Sequence, residues 1–184
     1  MKFVLFFLLL LNPFLLIAHK DQHIVVHHSS YIHIYLCPPL TETAMAYNNE
    51  ICGELDEEFL LFQPQDPSLN TFLDSQRNLE TFQEDFVEML NADLLLVLPP
   101  YSRDCAWEIG WFCGKQRPAI AYAEMAGDWM SDAMVKGGLT AIVTNNSLLY
   151  KAFLDDPSTA NKCYLINSRE YLGDFLKSYI CGTH

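Results

Sequence analysis

Positive charge is scarce in this sequence: 11 Lys and Arg stand against 23 Asp and Glu, a formal net charge of −12. Such a surface repels a phosphate backbone, whose binding needs clustered cations, so nucleic acid is excluded as a partner while a small neutral ligand is not. Internal repeats, low-complexity segments and linkers are also missing. What remains is 184 residues, half of them hydrophobic, enough to bury one sizeable core and not a second. The 6 cysteines, Cys37, Cys52, Cys105, Cys113, Cys163 and Cys181, are spaced too irregularly for a zinc site, and an even count permits disulfides without implying them. Cys52 and Cys113 fall on apolar helix faces, where a thiol is a plain core residue. No metal ligand set is read from the sequence. The stretch carrying His19, His23, His27, His28 and His33 reads as a solvated tail, with adventitious metal binding as its alternative.

The first eighteen residues stand apart. Lys2 is followed by the apolar runs Phe3 to Leu11 and Phe14 to Ala18, broken by Asn12 and Pro13. This reads as a secretory signal peptide or a short membrane anchor, because a full transmembrane helix needs about 20 apolar residues without such a break. The expected location is then secreted or membrane-anchored; a cytoplasmic protein with an over-long start is the alternative. The expected organisation is a leader at 1–18, a polar His-rich lead-in at 19–30 and one domain at 31–184.

From Tyr31 onward, β-rich runs alternate with amphipathic stretches, the pattern of βαβ units. Strands are expected at Tyr31 to Leu36, Phe59 to Gln63, Asp93 to Leu98, Ala119 to Ala123 and Leu139 to Val143. Helices are expected at Glu42 to Leu55, Leu79 to Asn91, Asp104 to Lys115, Trp129 to Val135, Ser147 to Leu154 and Ser168 to Tyr179. The fold class is α/β: a doubly wound, Rossmann- or flavodoxin-like parallel sheet of about five strands flanked by helices. Within the second helix Phe82, Phe86, Met89 and Leu90 recur at helical spacing, which lays that face on the sheet and leaves Gln83, Glu84 and Glu88 to water.

Ligands of such sheets sit outside the carboxyl ends of the strands, where the crossovers diverge. That rule selects Tyr35 to Pro39, Pro64 to Pro67, Pro99 to Glu108 and the turn after Ala123. The most informative stretch runs from Asp104 to Phe112. Glu108 lies in the first turns of its helix among apolar neighbours, so its carboxylate is either partly buried or held for use near the helix N-terminus. A capping box does not explain it, because three residues after Asp104 stands Trp107.

Trp107-Glu108-Ile109-Gly110-Trp111, preceded by Asn91-Ala92-Asp93 and followed by Lys115-Gln116-Arg117-Pro118, resembles the nucleoside 2-deoxyribosyltransferase family and its nucleoside and nucleotide N-glycosidase relatives. Ile34-Tyr35-Leu36 and the Pro64-Gln65-Asp66 turn fit the same scheme, and the resemblance spans about Ile32 to Val143. It implies a retaining double displacement, in which one carboxylate forms a covalent deoxyribosyl ester that a second base or water resolves. By that resemblance Glu108 is the nucleophile, Asp85 binds or protonates the departing base, and Tyr35 orients the nucleophilic carboxylate. Read without it, Asp85 is a solvent-facing helix acid and Tyr35 a core ring. Gln65 and Asp66 are candidates for the base edge, although a turn-forming Asp beside Pro67 is an equally good account.

Asp132 matches a position that neighbouring subunits of these enzymes contribute to each other's pockets, which implies a homo-oligomer with shared sites. A carboxylate there accepts from a sugar hydroxyl and repels a phosphate, and Cys37-Pro38-Pro39-Leu40 lacks the glycines of a phosphate cradle, so nucleoside is favoured over nucleotide. Where the family commonly has Gly-Thr before the glutamate, this chain has Asp104-Cys105, and Asp104 thereby becomes a further substrate-site candidate whose charge acts on the nucleophile. Partners are a nucleoside and a nucleobase, and no metal or organic cofactor is called for. Hydrolysis in place of transfer, or a non-catalytic nucleoside-binding module, are the alternatives.

Overall fold

Strands β1 (Ile32–Cys37), β2 (Phe59–Phe62), β3 (Leu94–Val97), β4 (Ala119–Tyr122), β5 (Ala141–Thr144) and β6 (Cys163–Leu165) pair in parallel in the order β2-β1-β3-β4-β5-β6. This is the arrangement of the computed structural model, which describes residues 31–39, 42–55, 59–64, 75–101 and 103–183. The expected leader and lead-in at 1–30, and the site candidates Gln65 and Asp66, lie outside the described residues. The helices are α1 (Glu42–Leu55), α2 (Ser75–Asn91), α3 (Arg103–Gly114), α4 (Ala133–Gly138), α5 (Ser147–Asp155) and α6 (Leu172–Cys181). Among the described residues no helix is long and apolar enough to cross a membrane.

Every residue of β3, β4 and β5 is buried, so these strands read as continuous apolar runs, as parallel strands covered on both faces do. Successive side chains point to opposite faces and divide the core in two. Ile34, Leu36, Leu94, Leu96, Ile120 and Tyr122 meet Ile51 and Leu55 of α1 and Leu172 and Leu176 of α6. Tyr35, Cys37, Leu95, Val97, Ala119 and Ala121 meet the other helices through Met89, Cys105, Ile109, Phe112, Val135 and Phe153. Each fully buried Leu or Ile contributes about 1.5–3 kcal/mol to holding these layers together.

The sheet has six strands, not about five. β6 is three residues long, lies at the edge and has Leu165 exposed, so it carries too little pattern to be read. The expected helix at Trp129 to Val135 is two elements, a 3₁₀ turn (Asp128–Ser131) and α4. Asp132 divides them: its backbone is extended and its side chain accepts from the Met134 and Val135 amides, starting a new helix. α2 differs as well. Met89 is buried, but Phe82 is 51% and Leu90 45% exposed. Phe82 and Phe86 meet α3 rather than the sheet, with ring centroids 6.1 Å from Trp107 and 6.0 Å from Trp111. Cys113, expected in the core, is exposed.

Two of the sequence motifs brace this frame. Asp93 accepts from the His33 amide at 2.9 Å and returns its own amide to the His33 carbonyl at 2.8 Å, which anchors the start of β1 to β3. Arg117 donates to the carbonyls of Met89, Leu90 and Ala92, closing the C-terminal end of α2, and lies over the Trp111 ring of α3.

Candidate active site

The chain leaves β1 toward β2 on one side and crosses to β3 on the other, so the winding reverses at the carboxyl ends of β1 and β3. Tyr35 and Cys37, two apart on β1, point to the same face there, toward α3. On α3 the buried positions are Cys105, Glu108, Ile109 and Phe112, an i, i+3, i+4, i+7 stripe with a carboxylate in its second place. Glu108 is therefore carried inward by the same periodicity that buries its apolar neighbours.

The Tyr35 hydroxyl, itself buried, donates to Glu108 Oε1 at 3.0 Å. Tyr35 is held in turn by Phe62 of β2, 5.4 Å away between ring centroids. Burial pushes the Glu108 carboxyl above its ordinary range; hydrogen bonds from Cys37 and Tyr35 pull it back, and the charges of Asp85 and Asp104 push it further up. Burial also raises the Tyr35 phenol, with the Glu108 and Asp85 charges acting in the same direction, so the phenol stays protonated and serves as a donor. Asp85 is half-buried on α2 at the place in Phe82-Asp85-Phe86-Met89 that Glu108 holds in its own stripe. Burial first, then Glu84 and Asp104, push its carboxyl up to about 6.

The structure thus brings Tyr35, Glu108 and Asp85 into one electrostatic group, with Asp104 exposed at its edge and acting on both carboxylates. Asp132 belongs to a different set of contacts: besides capping α4 it faces the Tyr101 hydroxyl, whose pKa burial and the Asp132 charge raise to about 12. Cys37 and Cys105 flank Glu108, and the three donor atoms lie within 4.8 Å of one another. The irregular cysteine spacing hides this grouping, whose signal lies in the periodicities: Cys37 stands two residues from Tyr35 on a strand, and Cys105 three residues from Glu108 on a helix. A separate cleft of about 440 Å³ lies beyond β4, lined by Tyr47, Tyr122, Glu124, Met125 and Trp129 among others, and does not include the Glu108 group.

Fold and site define a doubly wound α/β protein with a desolvated, tyrosine-held carboxylate beside its topological switch point. Among solved structures the chain is similar to a 2-deoxyribosyltransferase from the psychrotolerant bacterium Bacillus psychrosaccharolyticus, at 20% identity and a TM-score of 0.46, over 60% of this chain and 84% of that one. It is also similar to a conserved protein from Enterococcus faecalis V583, at 20% identity and a TM-score of 0.46, over 81% of this chain and 99% of that one. No protein family and no curated protein matches the chain.

Proposed function

We propose that this chain transfers 2-deoxyribose between nucleobases by a retaining double displacement through a glutamyl-sugar ester. The observation that carries the reading is the buried Glu108 carboxylate, held through Oε1 by the Tyr35 hydroxyl at 3.0 Å. With one oxygen fixed and little water around it, the carboxylate is oriented for attack and poorly solvated, both of which favour a nucleophile. Glu108 attacks the anomeric carbon, the bond from that carbon to the base nitrogen breaks, and its electron pair leaves with the base. Asp85, protonated below about 6, supplies the proton that neutralises the departing base and recovers it from the incoming one. The second base attacks the same carbon and returns the ester electron pair to Glu108, so configuration is retained.

Incubation of the protein with a deoxynucleoside and a different free base should yield the exchanged nucleoside by chromatography. A 2-fluoro-2-deoxyribosyl substrate should label Glu108. Absence of both exchange and base release under every pairing overturns the enzyme reading, and free sugar whose yield ignores the acceptor base makes the protein a hydrolase. We further propose a homo-oligomer in which Asp132 reaches a neighbour's sugar site; a monomeric mass at micromolar concentration with full exchange activity removes Asp132 from the site.

A further inference from the structure

Neither cysteine beside Glu108 makes or breaks a bond in that chemistry, although the Cys37 thiol hydrogen-bonds the carboxylate. Cys37 Sγ, Cys105 Sγ and a carboxylate oxygen of Glu108 lie within 4.8 Å of one another, on residues 1%, 2% and 9% exposed. Around a tetrahedral zinc, with sulfur at about 2.3 Å and carboxylate oxygen at about 2.0–2.2 Å, ligand atoms stand roughly 3.5–4 Å apart. The trio is already close to that separation, on two regular elements: Cys37 on β1, and Cys105 and Glu108 one helical turn apart on α3. We propose that Cys37, Cys105 and Glu108 form a binding site for one thiophilic divalent ion of the Zn²⁺ or Cd²⁺ kind, which competes with substrate by taking the carboxylate as a ligand.

Three features of the site favour such an ion. Two thiolates and one carboxylate are the soft, anionic set that selects zinc and cadmium over magnesium or calcium. The surroundings are acidic, with Asp85 and Asp104 both acting on Glu108, in a chain of net charge −12. Cys37 and Cys105 are packed within the core and Glu108 is 9% exposed and held by Tyr35, so the ion would meet donors already held in place. Binding exchanges the two thiol protons, released to solvent, for the ion, and a water completes the fourth position. The ion is an inhibitor here and not a cofactor, because the carboxylate it holds is the group that must attack.

Co²⁺ titrated into the full, reduced chain tests the site without reference to activity. One equivalent should give the visible bands of a tetrahedral ion together with a thiolate-to-metal charge-transfer band. That band should be lost in Cys37→Ser and in Cys105→Ser, and kept in the double variant Cys113→Ser/Cys181→Ser, whose thiols are exposed. Imidazoles of the His-rich segment give no thiolate band. If either buried-site variant fails to fold, zinc K-edge absorption of the wild-type chain decides: two sulfur neighbours support the site and none overturns it. A band absent at one equivalent, or surviving loss of both Cys37 and Cys105, also overturns it. The inhibitory half rests on the proposed function: one equivalent of Zn²⁺ should lower exchange roughly a hundredfold, because the ion occupies the nucleophilic carboxylate, with recovery on adding a chelator. Exchange that continues with the ion bound overturns inhibition. A chain that shows the thiolate band but no exchange when metal-free refutes the transferase reading and leaves the ion site standing.

Discussion

Glu108 occupies a position whose periodicity calls for an apolar side chain, and a carboxylate kept there costs stability unless its hydrogen bonds offset the burial. Replacing it with Gln removes the nucleophile while leaving the Tyr35 hydroxyl an amide oxygen to donate to. Exchange should fall by about 10³-fold or more, while stability measured in urea should change by about 1 kcal/mol or less. Unfolding of the variant, with the residual folded fraction keeping its specific activity, would mean that Glu108 is structural. Asp85 gives a second test through pH. Its folded-state pKa of about 6 lies above the ordinary 3.8, so the folded chain binds the proton more tightly than the unfolded one. The stability tied to that proton is fully present below about pH 4 and is lost as pH rises through 6. Asp85→Asn should therefore stabilise the protein at pH 8 but not at pH 4, by about 1 kcal/mol after discounting for solvent around a half-buried group. Exchange by the wild type should decline above pH 6, and that limb should vanish in the variant. A stability difference equal at both pH values would reject the shift. The inward placement of Glu108, at the i+3 place of an apolar stripe, was legible in the sequence, whereas spacing alone made Asp85 a solvent-facing helix acid. Their meeting with Tyr35 was not legible, because the Tyr35–Glu108 bond joins residues 73 apart. Only the winding of the sheet creates it.

At the scale of elements, α3 is held in place by a close approach that only glycine allows. A Cβ on Gly138 of α4 would stand 2.6 Å from Cγ2 of Ile109, the neighbour of Glu108, whereas one on Gly137 meets nothing within 4 Å. Gly138→Ala should cost about 1–3 kcal/mol by overpacking and should reduce exchange by shifting α3. Gly137→Ala should instead stabilise by about 0.5–1 kcal/mol through helix propensity. Thermal unfolding of the two single variants separates them by sign, and equal shifts would show that the approach has slack. The existence of α4 was harder to read than its packing. Apolar residues run on from Trp129 through Val135, and periodicity alone joins them; what splits them is local donation by the Met134 and Val135 amides to the Asp132 side chain. Asp132→Ala should cost about 1 kcal/mol for that cap alone. Loss of activity beyond what this destabilisation explains, in the oligomer, would mark the second role proposed for it.

Alternation of strand and helix made the layering of the domain from Tyr31 onward legible, since each crossover buries one apolar face. The order β2-β1-β3-β4-β5-β6 fixes the switch point at β1 and β3. What the pattern could not convey is which apolar residues stay outside. Leu79, Phe82, Val87 and Leu90 of α2 and Trp107 of α3 are each 45–54% exposed, and Glu80 and Glu84 are exposed among them. If a second copy packs there, two chains of net charge −12 must approach, and their repulsion opposes the apolar gain. Salt then decides the balance. Raising ionic strength from about 0.01 M to about 0.15 M shortens the screening length from about 30 Å to about 8 Å, comparable with the contact itself. Sedimentation should show the proposed oligomer dissociating toward monomer at low salt and tightening as salt rises, and Phe82→Asp should shift the equilibrium to monomer at both. An oligomer indifferent to salt and to Phe82→Asp would place its interface elsewhere; a monomer under every condition would remove the shared site altogether.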